Sequence, residues 1–201
     1  MTPDRIRARF ADHTHPRDLP PGQRRGDHTL NPGWDYERRL VPAAVLVPLV
    51  DRPEGLSVLL TRRTDHLTHH PGQISFPGGH LEEGESPIEA ALRETEEEIG
   101  LSHTRIDVIG RLETYVTRTG FSVVPVVGLI TPPFDLALDS FEVAEVFEIP
   151  LTFLMDPINH QRESMEFQGA TRYFYVMPYG DYRVWGATAG MIVSLYEFLK
   201  S

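Results

Sequence analysis

The chain has no cysteine among its 201 residues. Disulfide scaffolds, thiolate-held zinc, iron–sulfur clusters and thiol nucleophiles are therefore excluded. No apolar run approaches the roughly 20 residues that cross a bilayer. Met1 to Asp12 contain no apolar stretch of the secretory kind, so a cytoplasmic protein is expected. Positive charge is also short: 19 Lys and Arg stand against 29 Asp and Glu, a formal net charge of −10. A surface that tracks nucleic-acid phosphates or an anionic membrane needs clustered bases, so neither is an expected partner.

What is present suits one soluble domain with a sizeable core. Residues 1–40 read as an N-terminal extension, punctuated by Pro16, Pro20, Pro21, Gly22, Gly26, Pro32 and Gly33, with a short helix from Asp4 to Ala11. Residues 41–201 read as the domain proper. Val41–Val50 and Leu56–Thr61 are β-branched apolar runs around a turn, and a loop follows from Arg62 to Pro77. Ile106–Thr117 and Phe121–Ile130 read as long strands joined at Thr119-Gly120. Val146–Pro150 and Thr171–Met177 read as further strands, with a helical turn at Leu151–Met155. Ala187–Leu199 reads as a helix with Met191, Ile192, Leu195, Phe198 and Leu199 on one face. The pattern is a mixed α/β domain. Its apolar helix face and long strands are compatible with a homodimer.

The acids are unevenly placed: residues 79–101 carry eight Glu and one Arg. Ser86 is a fitting N-cap, Pro87 suits the first helical position, and Glu89 completes a capping box. Gly100 suits the left-handed stop after Ile99. At about 100° per residue, Ile88, Leu92, Thr95 and Ile99 make one stripe, the expected core face. Glu94, Glu97 and Glu98 follow i, i+3, i+4 on another face. Like charges at that spacing repel, and the helix dipole disfavours acids in the last turn. A hard divalent cation such as Mg²⁺ or Mn²⁺ removes both conflicts, so the three are candidate metal ligands.

The same segment resembles the Nudix box, Gly-x5-Glu-x7-Arg-Glu-U-x-Glu-Glu-x-Gly-U, where U is a bulky aliphatic residue. Gly79, Glu85, Arg93, Glu94, Glu97, Glu98, Gly100 and Leu101 fall on its positions, and Thr95 stands where an aliphatic is usual. The resemblance implies an α/β/α sandwich around a mixed β-sheet, and Mg²⁺- or Mn²⁺-dependent hydrolysis of a diphosphate linked to another group. It implies that Glu94, Glu97 and Glu98 hold metal, that Glu85 and Arg93 pair to fix the loop against the helix, and that Arg93 belongs to the catalytic set. Gly78 and Gly79 let the backbone approach metal or phosphate. The proton acceptor is left open among Glu97, Glu98, Glu142 and Glu145.

A second resemblance concerns the substrate. Leu59-Leu60-Thr61-Arg62-Arg63-Thr64-x3-Thr68-x3-Gly72-x3-Phe76-Pro77-Gly78-Gly79 is similar to the signature of coenzyme A pyrophosphatases within the Nudix group. Thr64 replaces a usual Ser or Ala, and Thr68 replaces an Arg, a loss that Arg62 or His69 would have to offset. The resemblance implies a small-molecule substrate, coenzyme A or a derivative, split into 3′,5′-ADP and 4′-phosphopantetheine. It points to Arg63 first, then Arg62 and Arg118, for phosphate contacts. ADP-ribose, a dinucleotide or a nucleoside triphosphate is the alternative substrate, and a binding module without turnover the alternative class.

Overall fold

The alternation along Val41–Arg52 sorts its side chains onto opposite faces of a sheet. Ala44, Leu46 and Val50 enter one buried cluster, while Ala43, Val47 and Leu49 enter the other. A core on each face requires a cover on each face, and that demand organises the molecule. The computed structural model describes residues 1–12, 24–33, 40–67, 71–167 and 169–200. Its elements in chain order are α1 (Pro3–Asp12), β1 (Arg25–Gly26), β2 (Val41–Arg52), β3 (Gly55–Arg63), β4 (Ile74–Ser75), β5 (Gly78–His80), α2 (Pro87–Ile99), β6 (Ile106–Arg111), β7 (Tyr115–Val116), β8 (Phe121–Ile130), β9 (Val143–Pro150), α3 (Leu151–Leu154), β10 (Gln161–Phe167), β11 (Ala170–Tyr179), β12 (Tyr182–Trp185) and α4 (Gly186–Lys200).

Among the described residues, β1 to β9 form one nine-stranded mixed sheet. β2 runs parallel to β8 and antiparallel to β3 and β5, and β3 pairs antiparallel with β9. α2 covers one face through Ala90, Ala91 and Ile99. The other face is covered by Ile6 and Phe10 of α1, by α4, and by Met177 and Val184 of a small antiparallel sheet, β10-β11-β12. The α/β/α sandwich around a mixed sheet is therefore observed. No described helix is long and apolar enough to cross a membrane.

Several sequence expectations change in detail. The run Ile106–Thr117 is broken into β6 and β7, with a register shift between Val108 and Gly110. At Gly110 a Cβ would stand 2.5 Å from Phe10 Cδ1, so the α1 ring takes space a side chain would need. The helix expected at Asp4–Ala11 is present, and Ile6 and Phe10 bury in the domain core at 1% and 8% exposure. The expected loop 62–77 contains β4, which pairs with the end of β3. β9 begins at Val143, three residues before its expected start, and β10 and β12 were not expected. α4 matches its expected range to within a residue at each end, with Met191, Ile192 and Leu195 buried.

Candidate active site

α2 begins as its sequence dictates. Ser86 Oγ accepts from Glu89 N at 3.3 Å, and Glu89 Oε2 accepts from Ser86 N at 2.9 Å. At the other end Gly100 takes φ 68° and donates its N–H to Glu96 O at 2.9 Å. The buried face differs from the expected stripe. Ile88 is 39% exposed, whereas Ala90 and Ala91 are fully buried. Two alanines let the helix sit close to the sheet, and this rotation carries Glu98 inward. Thr95, at the departing box position, is buried and donates Oγ1–H to Ala91 O at 2.6 Å, so its hydroxyl is satisfied inside the helix.

The three candidate ligands therefore do not share one environment. Glu98 is only 8% exposed and accepts from Gly78 N at 3.2 Å. Burial pushes its carboxyl up to about 7, with Glu142 and Glu94 adding to the rise and the Gly78 N–H and Arg63 opposing it. Glu94 lies against the backbone of β5: a Cβ built on Gly79 would stand 2.5 Å from Glu94 Cδ. The Glu97 side chain is 61% exposed. Arg93 joins Glu94 and Glu97 through one nitrogen, Nη1, at 3.0 and 3.2 Å.

Arg93 also forks onto Glu85, with Nε to Oε1 at 2.8 Å and Nη2 to Oε2 at 3.1 Å. Its Nη2 reaches His80 O at 3.1 Å. Glu85 in turn accepts from Glu82 N at 2.9 Å. One guanidinium thus ties the loop before α2, the end of β5 and two helical carboxylates together. A planar fork is suited to this and an ammonium is not.

The rim comes from β3 and the segment before β9. Arg63 Nη2 lies 3.8 Å from Glu142 Oε2. Thr64, buried, donates its N–H to Glu142 O at 3.0 Å and its Oγ1–H to Phe141 O at 2.8 Å. The tie explains why a hydroxyl fits the signature position, a role the spacing alone did not reveal. Glu98 O also accepts from Asp139 N at 2.9 Å, so this segment is fastened to the end of α2 as well.

The other predicted residues are placed as follows. Arg62 Nε lies 3.1 Å from Glu145 Oε2, and Tyr182 donates to Glu145 Oε1 at 2.6 Å. Tyr182 stacks on Phe147, which faces the α4 side of the sheet. Glu145 is thereby engaged with Arg62 and Tyr182, and it is Glu142 whose charge acts on Glu98. A register shift in the β3–β9 pairing at Arg62/Arg63 separates the two acids. Arg118 lies over the Phe167 ring at 3.8 Å from its centroid, and Phe76 is a core residue at 2% exposure. Thr68 and His69 fall outside the described residues.

Among the described residues no three His, Asp or Glu side chains converge into a ready cage for a cation. The donor set still fits a hard one. Mg²⁺ is usually held by one or two carboxylates, with water and substrate phosphate completing its shell. Glu98 is a buried acid pressed by two other acids. Positive charge beside it would remove that repulsion.

An α/β/α sandwich thus carries its acid-bearing helix α2 beside the glycine strand β5, with Arg63 at the rim. The NUDIX domain family matches residues 40–163. The uncharacterized Nudix hydrolase NudL of Escherichia coli strain K12 is 40% identical over 154 residues, covering 76% of this chain and 80% of the relative. Its counterpart in Escherichia coli O7:K1 matches to the same extent. A MutT/nudix family protein from Enterococcus faecalis has the same fold, with a TM-score of 0.50 and 15% identity over 100% of this chain and 76% of the other. The chain belongs to the Nudix family, and it is an enzyme of the pyrophosphatase kind.

Proposed function

We propose that the protein hydrolyses the diphosphate of coenzyme A or its derivatives, giving 3′,5′-ADP and (acyl-)4′-phosphopantetheine, with Mg²⁺ or Mn²⁺ as cofactor. The observation that carries this reading is the company kept by the Leu59–Gly79 signature. Its Arg63 stands beside Glu142, its Thr64 fastens that same segment, and its Gly78 and Gly79 lie under Glu98 and Glu94.

In this reading Glu94 and Glu98 hold the metal, with Glu97 at the outer edge. When bound, the metal neutralises diphosphate charge and lowers the pKa of water. The chain's own groups do the rest. Gly78 N–H orients Glu98, and Arg93 orients Glu94 and Glu97 from behind. Arg63 draws a phosphate oxygen toward the site through charge-assisted hydrogen bonds. Glu142, partly exposed beside Glu98, accepts the proton of the attacking water.

Incubating the purified protein with coenzyme A, ADP-ribose, a dinucleotide and a nucleoside triphosphate, each with Mg²⁺ or Mn²⁺, tests the reading. Release of 4′-phosphopantetheine with the highest kcat/KM of the panel is expected. A higher kcat/KM on another member would replace the substrate, and no turnover of any would overturn the reading.

A further inference from the structure

All seven residues of β10, Gln161–Phe167, are exposed, and among the described residues β10 is the edge of its sheet. An edge strand exposed on both faces is a template for another chain unless something blunts it. β10 contains no proline and no glycine.

The hydrogen-bond pattern shows which of its backbone groups face outward. Ser164 is paired with Tyr173 of β11. Tyr173 gives both its main-chain groups to Asn31: its N donates to Oδ1 and its O accepts from Nδ2, each at 2.9 Å. In an antiparallel ladder a residue's N–H and C=O point the same way, so Ser164 and Tyr173 form a non-hydrogen-bonded pair. The N–H and C=O of Ser164 therefore point away from β11. With a period of two, Arg162 and Glu166 do the same. The Phe167↔Ala170 pair next to the turn gives the same parity, since it is the odd-numbered residues that bond inward.

We propose that β10 pairs antiparallel with β10 of a second copy of this chain, with Ser164 opposite its own symmetry mate. That register brings all three outward residues into hydrogen-bonded pairs, about six main-chain bonds at two per pair. It also sets Arg162 opposite Glu166 of the partner subunit, twice over by symmetry. Shifting so that Arg162 meets its own mate, or Glu166 its own, places like charges face to face and leaves outward groups unpaired. On the other face, Met165 and Phe167, 45% and 42% exposed, are brought beside the partner's strand. The positions Arg162, Ser164 and Glu166 are thus self-complementary in charge about Ser164. The occupant best matched to this edge is the edge itself.

Sedimentation equilibrium of the full chain tests this. The wild type is expected at twice the chain mass at high-micromolar concentration. Ser164→Pro removes the central outward N–H but no bond to β11, so it is expected to give a monomer with unchanged circular dichroism and thermal midpoint. Arg162→Glu and Glu166→Arg are each expected to weaken association about tenfold or more, and the double variant to restore it. A monomeric wild type, a dimer indifferent to Ser164→Pro, or a charge swap without recovery would each overturn the proposal.

Discussion

The backbone of Gly79 and the carboxylate of Glu94 occupy adjoining space: a Cβ on Gly79 would stand 2.5 Å from Glu94 Cδ and 2.6 Å from Oε1. The obstructing atoms are the far end of a flexible side chain. Gly79→Ala is therefore expected to fold with a thermal midpoint near wild type and to lose on the order of tenfold or more in kcat, because Glu94 must swing away. Gly78→Ala differs. There the Cβ would meet Ala44 O at 2.4 Å, on a residue held at φ 145°. That clash is with main chain, so a stability loss of about 2 kcal/mol or more is expected. Denaturant titration of the two variants side by side checks the contrast. Equal stability losses would sink it.

Arg93 provides the second prediction. Its fork to Glu85 and its reach to Glu94, Glu97 and His80 O need several donors in one plane. Arg93→Lys keeps the charge but cannot make that pattern. With the side chain about a quarter exposed, a loss of about 1–2 kcal/mol in stability is expected after allowance for solvent screening. The kcat loss should be larger than stability accounts for, since two carboxylates lose their orientation. A Lys variant with wild-type kcat would show that the fork only closes a loop.

The start and stop of α2 were legible because its signals are local: Ser86, Pro87, Glu89 and Gly100 act within one turn of the backbone. The depth of Glu98 was not legible from periodicity. A stripe through Ile88 and Leu92 places Glu98 on a solvent face, and only the close seat allowed by Ala90 and Ala91 turns it inward. Glu145 illustrates a related gap. It is three residues from Glu142, but a register shift at Arg62/Arg63 on the partner strand separates their surroundings, and nothing in the spacing announces it. β10 leaves no periodic signal in the sequence, because a strand exposed on both faces has no buried side to impose alternation.

α1 yields a prediction about stability rather than chemistry. Ile6 is 1% exposed and shares a cluster with Leu49, Val127 and Leu195, and Phe10 meets Phe198 with ring centroids 4.4 Å apart. Ile6→Ala is expected to cost about 2–5 kcal/mol, as for other buried aliphatic truncations. The site lies on the opposite face of the sheet, so kcat at a temperature where the variant stays folded should be near wild type. Chemical denaturation with a matched kinetic assay checks both halves, and a stability change below about 1 kcal/mol would contradict the burial argument.

Under the proposed function Glu98 would link stability, proton and metal. Burial first, then the charges of Glu142 and Glu94, raise its carboxyl from 4.5 to about 7 in the metal-free protein. Because the folded value lies above the unfolded one, the folded state binds the proton more tightly. This contribution to stability is full below about pH 4.5 and is lost as pH rises through about 7. The loss approaches about 3 kcal/mol. A divalent cation held there would compete with that same proton. Mn²⁺ affinity should therefore rise by up to about tenfold per pH unit below 7 and level off above it, and added Mn²⁺ should restore the stability lost at higher pH. Glu98→Gln cannot ionise, so it should flatten both pH dependences and lower kcat on the order of 100-fold or more. Calorimetric Mn²⁺ titrations between about pH 6 and pH 8 decide the matter. If wild-type affinity were flat across that range, Glu98 would not be the acid that exchanges its proton for the metal.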